Sequence, residues 1–278
     1  MSKIKLIATD LDGTFLKNDK SISKQNLDAL NVLGNSGIIK IAATGRNLRK
    51  VMDVIPQKIP FDYVIFSSGA GVVNWKSQKL LLKENLKPQM SGEIARFLVK
   101  KKLNFNAFLA VPNNHHLWYH RGGEPCEEFE RYFNFNKKFA CPFSEKGILE
   151  KSLSQFIVIL PNNPEKFYLL KKEIESMFPE AGVIRSTSPL GTGFIWLEIF
   201  NRNVSKGNAL SFICNKLSIL QDETASIGND YNDIGLLEYS NLSYIVKNAP
   251  NDLREKYSAA PSNEENGFSV VVNQLLKY

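Results

Sequence analysis

Residues 4–14 read Ile4-Lys5-Leu6-Ile7-Ala8-Thr9-Asp10-Leu11-Asp12-Gly13-Thr14. Six mostly apolar residues suit a strand buried on both faces, and the abrupt change to Asp, Asp and Gly marks its C-terminal end as a polar loop. On an extended or gently turning backbone, residues i and i+2 point to the same side, so Asp10 and Asp12 bring two carboxylates into one small volume. Such a pair repels unless a cation neutralises it, and oxygen donors select a hard divalent ion such as Mg²⁺. Gly13 lets the backbone turn sharply and present its amides to an anion. One carboxylate is then placed to attack phosphorus while the other moves a proton. Taken alone, Asp-x-Asp-Gly reads more readily as a turn or a helix cap, since Asp and Gly are among the commonest turn residues.

Outward from this stretch the pattern repeats. Ser23 is placed to cap a helix carrying Leu27, Leu30 and Leu33, with Gly37 as its stop. Residues 38–43 are a second apolar run, ending in Thr44-Gly45-Arg46. A helix over 47–55 is stopped by Pro56, and residues 63–66 form a third run ending in Ser67-Ser68-Gly69-Ala70-Gly71. Strand and helix alternating at this spacing predict parallel pairing with right-handed crossovers. Ligands in such sheets sit at the carboxyl ends of strands, where all three polar clusters fall.

The middle of the chain changes character. Helices over 89–102, 127–133 and 164–178 alternate with β-like segments at 106–111, 117–120, 155–160, 182–186 and 194–200, the last helix carrying Phe167, Leu170, Ile174 and Met177 on one face. After Asn201-Arg202-Asn203 the first rhythm resumes, with a helix over 206–217, a strand over 224–227, the loop Gly228-Asn229-Asp230-Tyr231-Asn232-Asp233, a strand over 242–246 and a helix over 269–276. The expected fold is α/β: a Rossmann-like parallel-sheet core built from residues 1–83 and 201–278, with an inserted α+β domain over 84–200.

Composition sets the limits. The chain has 278 residues, 43% hydrophobic and 23% charged, which excludes a disordered chain, a collagen and a coiled coil and leaves material for two cores. Three cysteines, Cys126, Cys141 and Cys214, are too scattered for a disulfide framework and read as thiols in a reducing compartment. No apolar run approaches the ~20 residues of a membrane helix, and the first residues carry no signal-peptide h-region, so a cytoplasmic protein without a membrane partner is expected. The excess of 35 Lys and Arg over 28 Asp and Glu suits small anionic substrates. A nucleic-acid partner is not expected, because the only dense basic run, Lys100-Lys101-Lys102, lacks interleaved aromatics. His115, His116 and His120 have no neighbouring Asp, Glu or Cys to complete a zinc site and read as polar surface. No pattern in the sequence specifies an oligomeric state.

Four clusters resemble, in order, the motifs of the haloacid dehalogenase-like phosphatase superfamily: Asp10-Leu11-Asp12-Gly13-Thr14, Thr44-Gly45-Arg46, Lys206-Gly207 at a helix start, and Gly228-Asn229-Asp230-Tyr231-Asn232-Asp233-Ile234. The insertion before Lys206 resembles the α/β cap of the Cof-like sugar-phosphatase branch. The resemblance implies a Mg²⁺-dependent phosphatase acting on small phosphorylated metabolites, sugar phosphates above all. Asp10 would form an aspartyl-phosphate, and Asp12 would protonate the leaving alcohol and then activate water. Thr44, Gly45, Arg46, Gly69 and Lys206 would surround the phosphate. The metal would be held by Asp10, by the Asp12 carbonyl and by Asn229 or Asp230, with Asn232 and Asp233 orienting the loop. Cap residues, Trp118 and Arg121 among them, would choose the substrate. Asn229 stands where relatives usually carry aspartate, and Ser67-Ser68-Gly69 where they often carry Asn-Gly. A phosphomutase of the same superfamily, or an impaired relative that senses a phosphorylated ligand, are the alternatives.

Overall fold

The computed structural model describes residues 3–149 and 151–277, with side chains of 148 and 149 left aside. The chain divides into two compact units, one running to Leu82 and resuming at Ser205, the other comprising Lys83–Val204.

In the first unit the strands are β1 (Leu6–Thr9), β2 (Ile39–Ala43), β3 (Tyr63–Phe66), β4 (Gly71–Asn74) and β5 (Leu80–Lys83), joined by helices α1 (Lys24–Asn35) and α2 (Leu48–Val54). The second unit holds α3 (Pro88–Lys100), β6 (Phe105–Leu109), β7 (Leu117–His120), α4 (Glu127–Asn136), β8 (Ala140–Pro142), α5 (Glu145–Leu149), β9 (Leu153–Leu160), α6 (Pro164–Met177), β10 (Ala181–Thr187) and β11 (Ile195–Asn201). The chain then returns to the first unit with α7 (Lys206–Leu217), β12 (Thr224–Gly228), α8 (Ile234–Tyr239), β13 (Leu242–Val246), α9 (Asn251–Arg254), β14 (Ser258–Ala260) and α10 (Gly267–Leu275).

The large sheet has the order β14-β13-β12-β1-β2-β3-β4-β5. From β14 to β3 all neighbours are parallel, and β4 turns antiparallel to β3. β1 is central and buried along its whole length, as its unbroken apolar run requires. From β1 the chain moves outward one way through β2 and β3 and later the other way through β12 and β13. The gap between β1 and β12 is therefore the switch point of the sheet, where loops diverge and leave a crevice. Side-chain caps fix the helix starts: Ser23 accepts from Asn26 N–H at 3.1 Å and Ser205 from Asn208 N–H at 3.0 Å.

The second unit is a sheet of order β10-β11-β9-β6-β7-β8 with antiparallel neighbours except the short parallel pair β7–β8. Alternation along the strands separates two faces. Phe105, Ala107, Phe156, Val158, Leu197 and Ile199 pack against Ile94 and Leu98 of α3 and Phe167, Leu170 and Ile174 of α6. Phe108, Ile157, Ile159 and Trp196 pack on the opposite face against Phe129 and Tyr132 of α4.

Several expectations need correction. Met177 is exposed rather than on the buried face of α6; the next residue, Phe178, leaves helical geometry and takes the buried place, its ring 5.7 Å from Phe97. Strands β4, β5, β8 and β14 escaped the sequence reading: β8 and β14 have three residues each, too few for a period-2 pattern, and β4 and β5 are short segments on either side of a turn that the sequence reading left unassigned. Trp118 and Arg121, expected to choose the substrate, each also have partners inside the unit. Trp118 packs with the α3-side core. The Arg121 guanidinium binds both Glu130 carboxylate oxygens at 2.7 and 2.8 Å and lies between the rings of Tyr119 and Phe133, 4.6 and 4.5 Å from their centroids. His120 stacks on Phe105, and His115 and His116 pack on Phe139.

Because the Arg121 pair is half exposed and the ring contacts are modest, Arg121→Ala should lower stability by about 1 kcal/mol, roughly 2–4 °C in Tm. Thermal melts check this.

Candidate active site

The loop after β1 is shaped by what it buries. Leu11, Phe15 and Leu16 are fully buried, and the Phe15 ring meets Phe61 and Phe268 edge-on at 5.2 and 5.0 Å. The polar members of the motif are thereby left facing the crevice. The Asp10 N–H donates to the Ile227 carbonyl at 2.9 Å, continuing the β1–β12 ladder and placing the carboxylate at the switch point. Three asparagine side chains brace the loop from behind: Asn26 donates to the Phe15 carbonyl at 2.8 Å, Asn248 to that of Gly13 at 2.8 Å and Asn263 to that of Leu16 at 3.0 Å. Gly13 itself has φ +76°, a conformation that a side chain would strain.

Lys206, the first residue of α7, is completely buried among oxygens. Its ammonium donates to Asp10 Oδ1 at 2.7 Å, Asp233 Oδ1 at 2.5 Å and Asn232 Oδ1 at 3.3 Å. Burial pushes the Asp10 carboxyl upward; Lys206 pulls it down, while Asp233 and Asp12 add to the upward push and the rise prevails. For Lys206, burial alone would favour the neutral amine, but Asp10 and Asp233 outweigh it and hold the charge. The other oxygen of Asp233 accepts from the N–H groups of Asn229 at 2.8 Å and Asp230 at 3.1 Å, which sets the path of the loop after β12.

Asp12 is held differently. Arg46 Nε and Nη2 donate to its two oxygens at 2.6 and 2.7 Å, and the Lys20 ammonium lies 2.9 Å from Oδ1. Partial burial would raise this carboxyl, but the Arg46 hydrogen bonds and charge, with Lys20 behind them, hold it below the ordinary range. Thr44 Oγ1 accepts from the Arg46 N–H at 3.1 Å, so its hydroxyl hydrogen can point outward to an anion. The loop after β3 grips the Thr44–Arg46 turn, with Ser67 N–H donating to the Arg46 carbonyl at 2.8 Å and Ser68 N–H to that of Thr44 at 3.0 Å. Gly69, at φ +105°, lies so close to the start of α7 that a Cβ would collide with the Ser205 carbonyl oxygen. Its lack of a side chain thus has a packing reason.

Asn229 and Asp230, equal alternatives in the sequence, take different positions in the loop. The Asp233 N–H donates to the Asp230 backbone carbonyl at 2.9 Å and the Asp230 N–H to Asp233 Oδ2 at 3.1 Å, which ties Asp230 into the turn over 231–233. Asn229 instead turns toward the two aspartates: one terminal amide atom lies 3.2 Å from Asp10 Oδ2, 3.1 Å from the Asp12 carbonyl oxygen and 3.2 Å from Thr14 Oγ1, and hydrogen bonding assigns it as the nitrogen. Among the described residues no group of three or more His, Cys, Asp or Glu side chains gathers as a metal cluster. The convergent set is one carboxylate oxygen, one backbone carbonyl and one amide, all oxygen donors once the amide turns, and that set fits a hard cation such as Mg²⁺ rather than a softer metal. Asp233, expected to orient the loop from behind, contacts Lys206 directly. Lys20, Asn248 and Asn263 were not singled out from the sequence. Each is a polar loop residue distant along the chain, and nothing local marks it.

A family model described as haloacid dehalogenase-like hydrolase matches residues 7–272. Phosphatase YwpJ of Bacillus subtilis (strain 168) is 25% identical, the match covering 98% of this chain and 100% of that protein. A similar solved structure is BT1666 from Bacteroides thetaiotaomicron, described among phosphatases of the haloalkanoate enzyme superfamily, with a TM-score of 0.80, 18% identity and coverage of 98% and 95%. Another is the subclass IIB sugar phosphatase BT4131, with a TM-score of 0.76, 19% identity and coverage of 97% and 98%. At such identities these two likenesses speak for the fold.

Removing one partner of a buried ion cluster leaves the others uncompensated. Lys206→Met should cost about 3–5 kcal/mol in EDTA, and adding Asp233→Asn should recover part of that loss, a coupling that denaturant titration of the double-mutant cycle measures.

Proposed function

The chain belongs to the haloacid dehalogenase-like hydrolase family, and on that premise we propose that it is a Mg²⁺-dependent phosphatase of small phosphorylated metabolites, sugar phosphates above all, working through an aspartyl-phosphate on Asp10. The observation that carries this reading is Asp10 itself: buried at the switch point, one oxygen on Lys206 and the other facing the Asp12 carbonyl and Asn229. The phosphatase activity of YwpJ and the description of BT4131 as a sugar phosphatase support it.

In the first step an Asp10 oxygen bonds to phosphorus and the phosphorus–alkoxide bond breaks, the departing oxygen taking a proton from Asp12. In the second, Asp12 takes a proton from water, the hydroxide oxygen bonds to phosphorus, and Asp10 leaves as the carboxylate with release of inorganic phosphate. Lys206 offsets charge on Asp10 and on the phosphoryl oxygens, and the Thr44 hydroxyl donates to one of them. Asp10, the Asp12 carbonyl and Asn229 would hold Mg²⁺, which when bound supplies positive charge against the phosphate dianion. The paired Asp12 is in its basic form, ready for the second step. For the first step the Asp12 carboxyl must carry a proton, which an Arg46 drawn toward the incoming phosphate would favour. The residues around Asp10 read only a phosphoryl group, so we assign the rest of the substrate to the inserted unit.

Assays of phosphate release from a panel of sugar phosphates, with and without Mg²⁺, test the reading. Asp10→Asn should reduce turnover on the order of 10³-fold or more for every substrate. Isomerised sugar phosphate without free phosphate would establish a mutase instead, and binding without turnover a sensor. Arg46→Ala removes the cation that lowers Asp12, so this carboxyl titrates at higher pH. The pH profile of kcat/KM should move in the same direction.

A further inference from the structure

Asn229 invites a second reading that rests on the cation site just proposed. Its inward amide atom stands within 3.1–3.2 Å of Asp10 Oδ2, the Asp12 carbonyl oxygen and Thr14 Oγ1. The Asp12 carbonyl oxygen can only accept hydrogen bonds, and oxygens gathered so closely repel unless a donor or a cation lies among them. Asparagine has both kinds of end on one flat group, an –NH₂ and a carbonyl of almost equal size. A half-turn about Cβ–Cγ exchanges them without moving the backbone, which is pinned by the Asn229 N–H donating to Asp233 Oδ2 at 2.8 Å. Room for the turn comes from Gly13, where a Cβ would stand 2.7 Å from the outer amide atom. Aspartate at 229 would have no such option: in the metal-free protein it would set a second carboxylate against Asp10.

We infer that Asn229 is a two-position side chain, holding the Asp10–Asp12–Thr14 oxygens together with its –NH₂ in the metal-free protein and presenting its carbonyl oxygen when a divalent cation enters. The substitution of amide for carboxylate then exchanges cation affinity for a metal-free site that remains ordered.

Full-length protein and the variants Asn229→Ala and Asn229→Asp, melted in EDTA and in saturating Mg²⁺ and titrated with Mg²⁺ by calorimetry, test this. In EDTA the alanine variant should melt roughly 2–6 °C below the parent, and the aspartate variant at least as low. In Mg²⁺ the aspartate variant should gain more than the parent and bind the ion roughly tenfold more tightly. In the parent, the Asn229 side-chain amide protons should be protected in EDTA and shift on Mg²⁺ addition in ¹H–¹⁵N spectra, a readout that survives if a variant fails to fold. Mg²⁺ binding by a parent no more stable in EDTA than Asn229→Ala, or amide signals indifferent to the ion, would overturn the inference alone. A parent that binds no Mg²⁺ would overturn the cation site with it.

Discussion

A lysine with no exposed surface, touching two carboxylates at 2.7 and 2.5 Å, is the point from which the rest of the site is organised. Taking three charged groups out of water is costly, and only close mutual contact offsets that cost. The cluster joins the end of β1, the start of α7 and the loop after β12, so these three elements must keep a common geometry for the charges to remain compensated. Two carboxylates against one ammonium would leave excess negative charge, which is part of what pushes the Asp10 carboxyl upward, and Asp10 Oδ2 faces Asn229 and the Asp12 carbonyl. An extra cation at that spot would be attracted by the same imbalance.

Asp12 stands under the opposite regime. With Arg46 and Lys20 both on its carboxylate it is charge-compensated and held ionised. Two aspartates separated by one residue thus differ in kind: one is buried with excess negative charge around it, the other sits at the rim among cations. Environments that push two titratable groups apart allow a single loop to supply one group that bonds and another that moves protons.

Much of the scaffold around these groups is polar yet not chemical. Asn26, Asn248 and Asn263 satisfy carbonyls that the tight turn after Asp10 leaves without ladder partners, and Ser67 and Ser68 do the same for the turn after β2 through their backbone N–H groups. Cores of Phe15, Phe61 and Phe268 hold the turn from below. Rigid support of this type keeps a charged site from relaxing into hydrogen bonds of its own.

The sequence by itself determined the alternation of strands and helices, the place of each polar cluster at a strand end, and the residue types those clusters hold, because burial on both faces of a parallel sheet demands unbroken apolar runs and the loops take what remains. α7 begins at Lys206 and β13 spans Leu242–Val246 as the pattern requires. Short edge strands such as β14 left no periodic trace, since three residues cannot show a period. Only the tertiary structure decided which side chains meet: that Asp233 reaches Lys206 directly, that Asn229 rather than Asp230 faces Asp10, and that Arg121 is taken up by Glu130, Tyr119 and Phe133. Those outcomes depend on the turn taken at single residues and on partners up to about two hundred positions away, and local spacing carries no information about either.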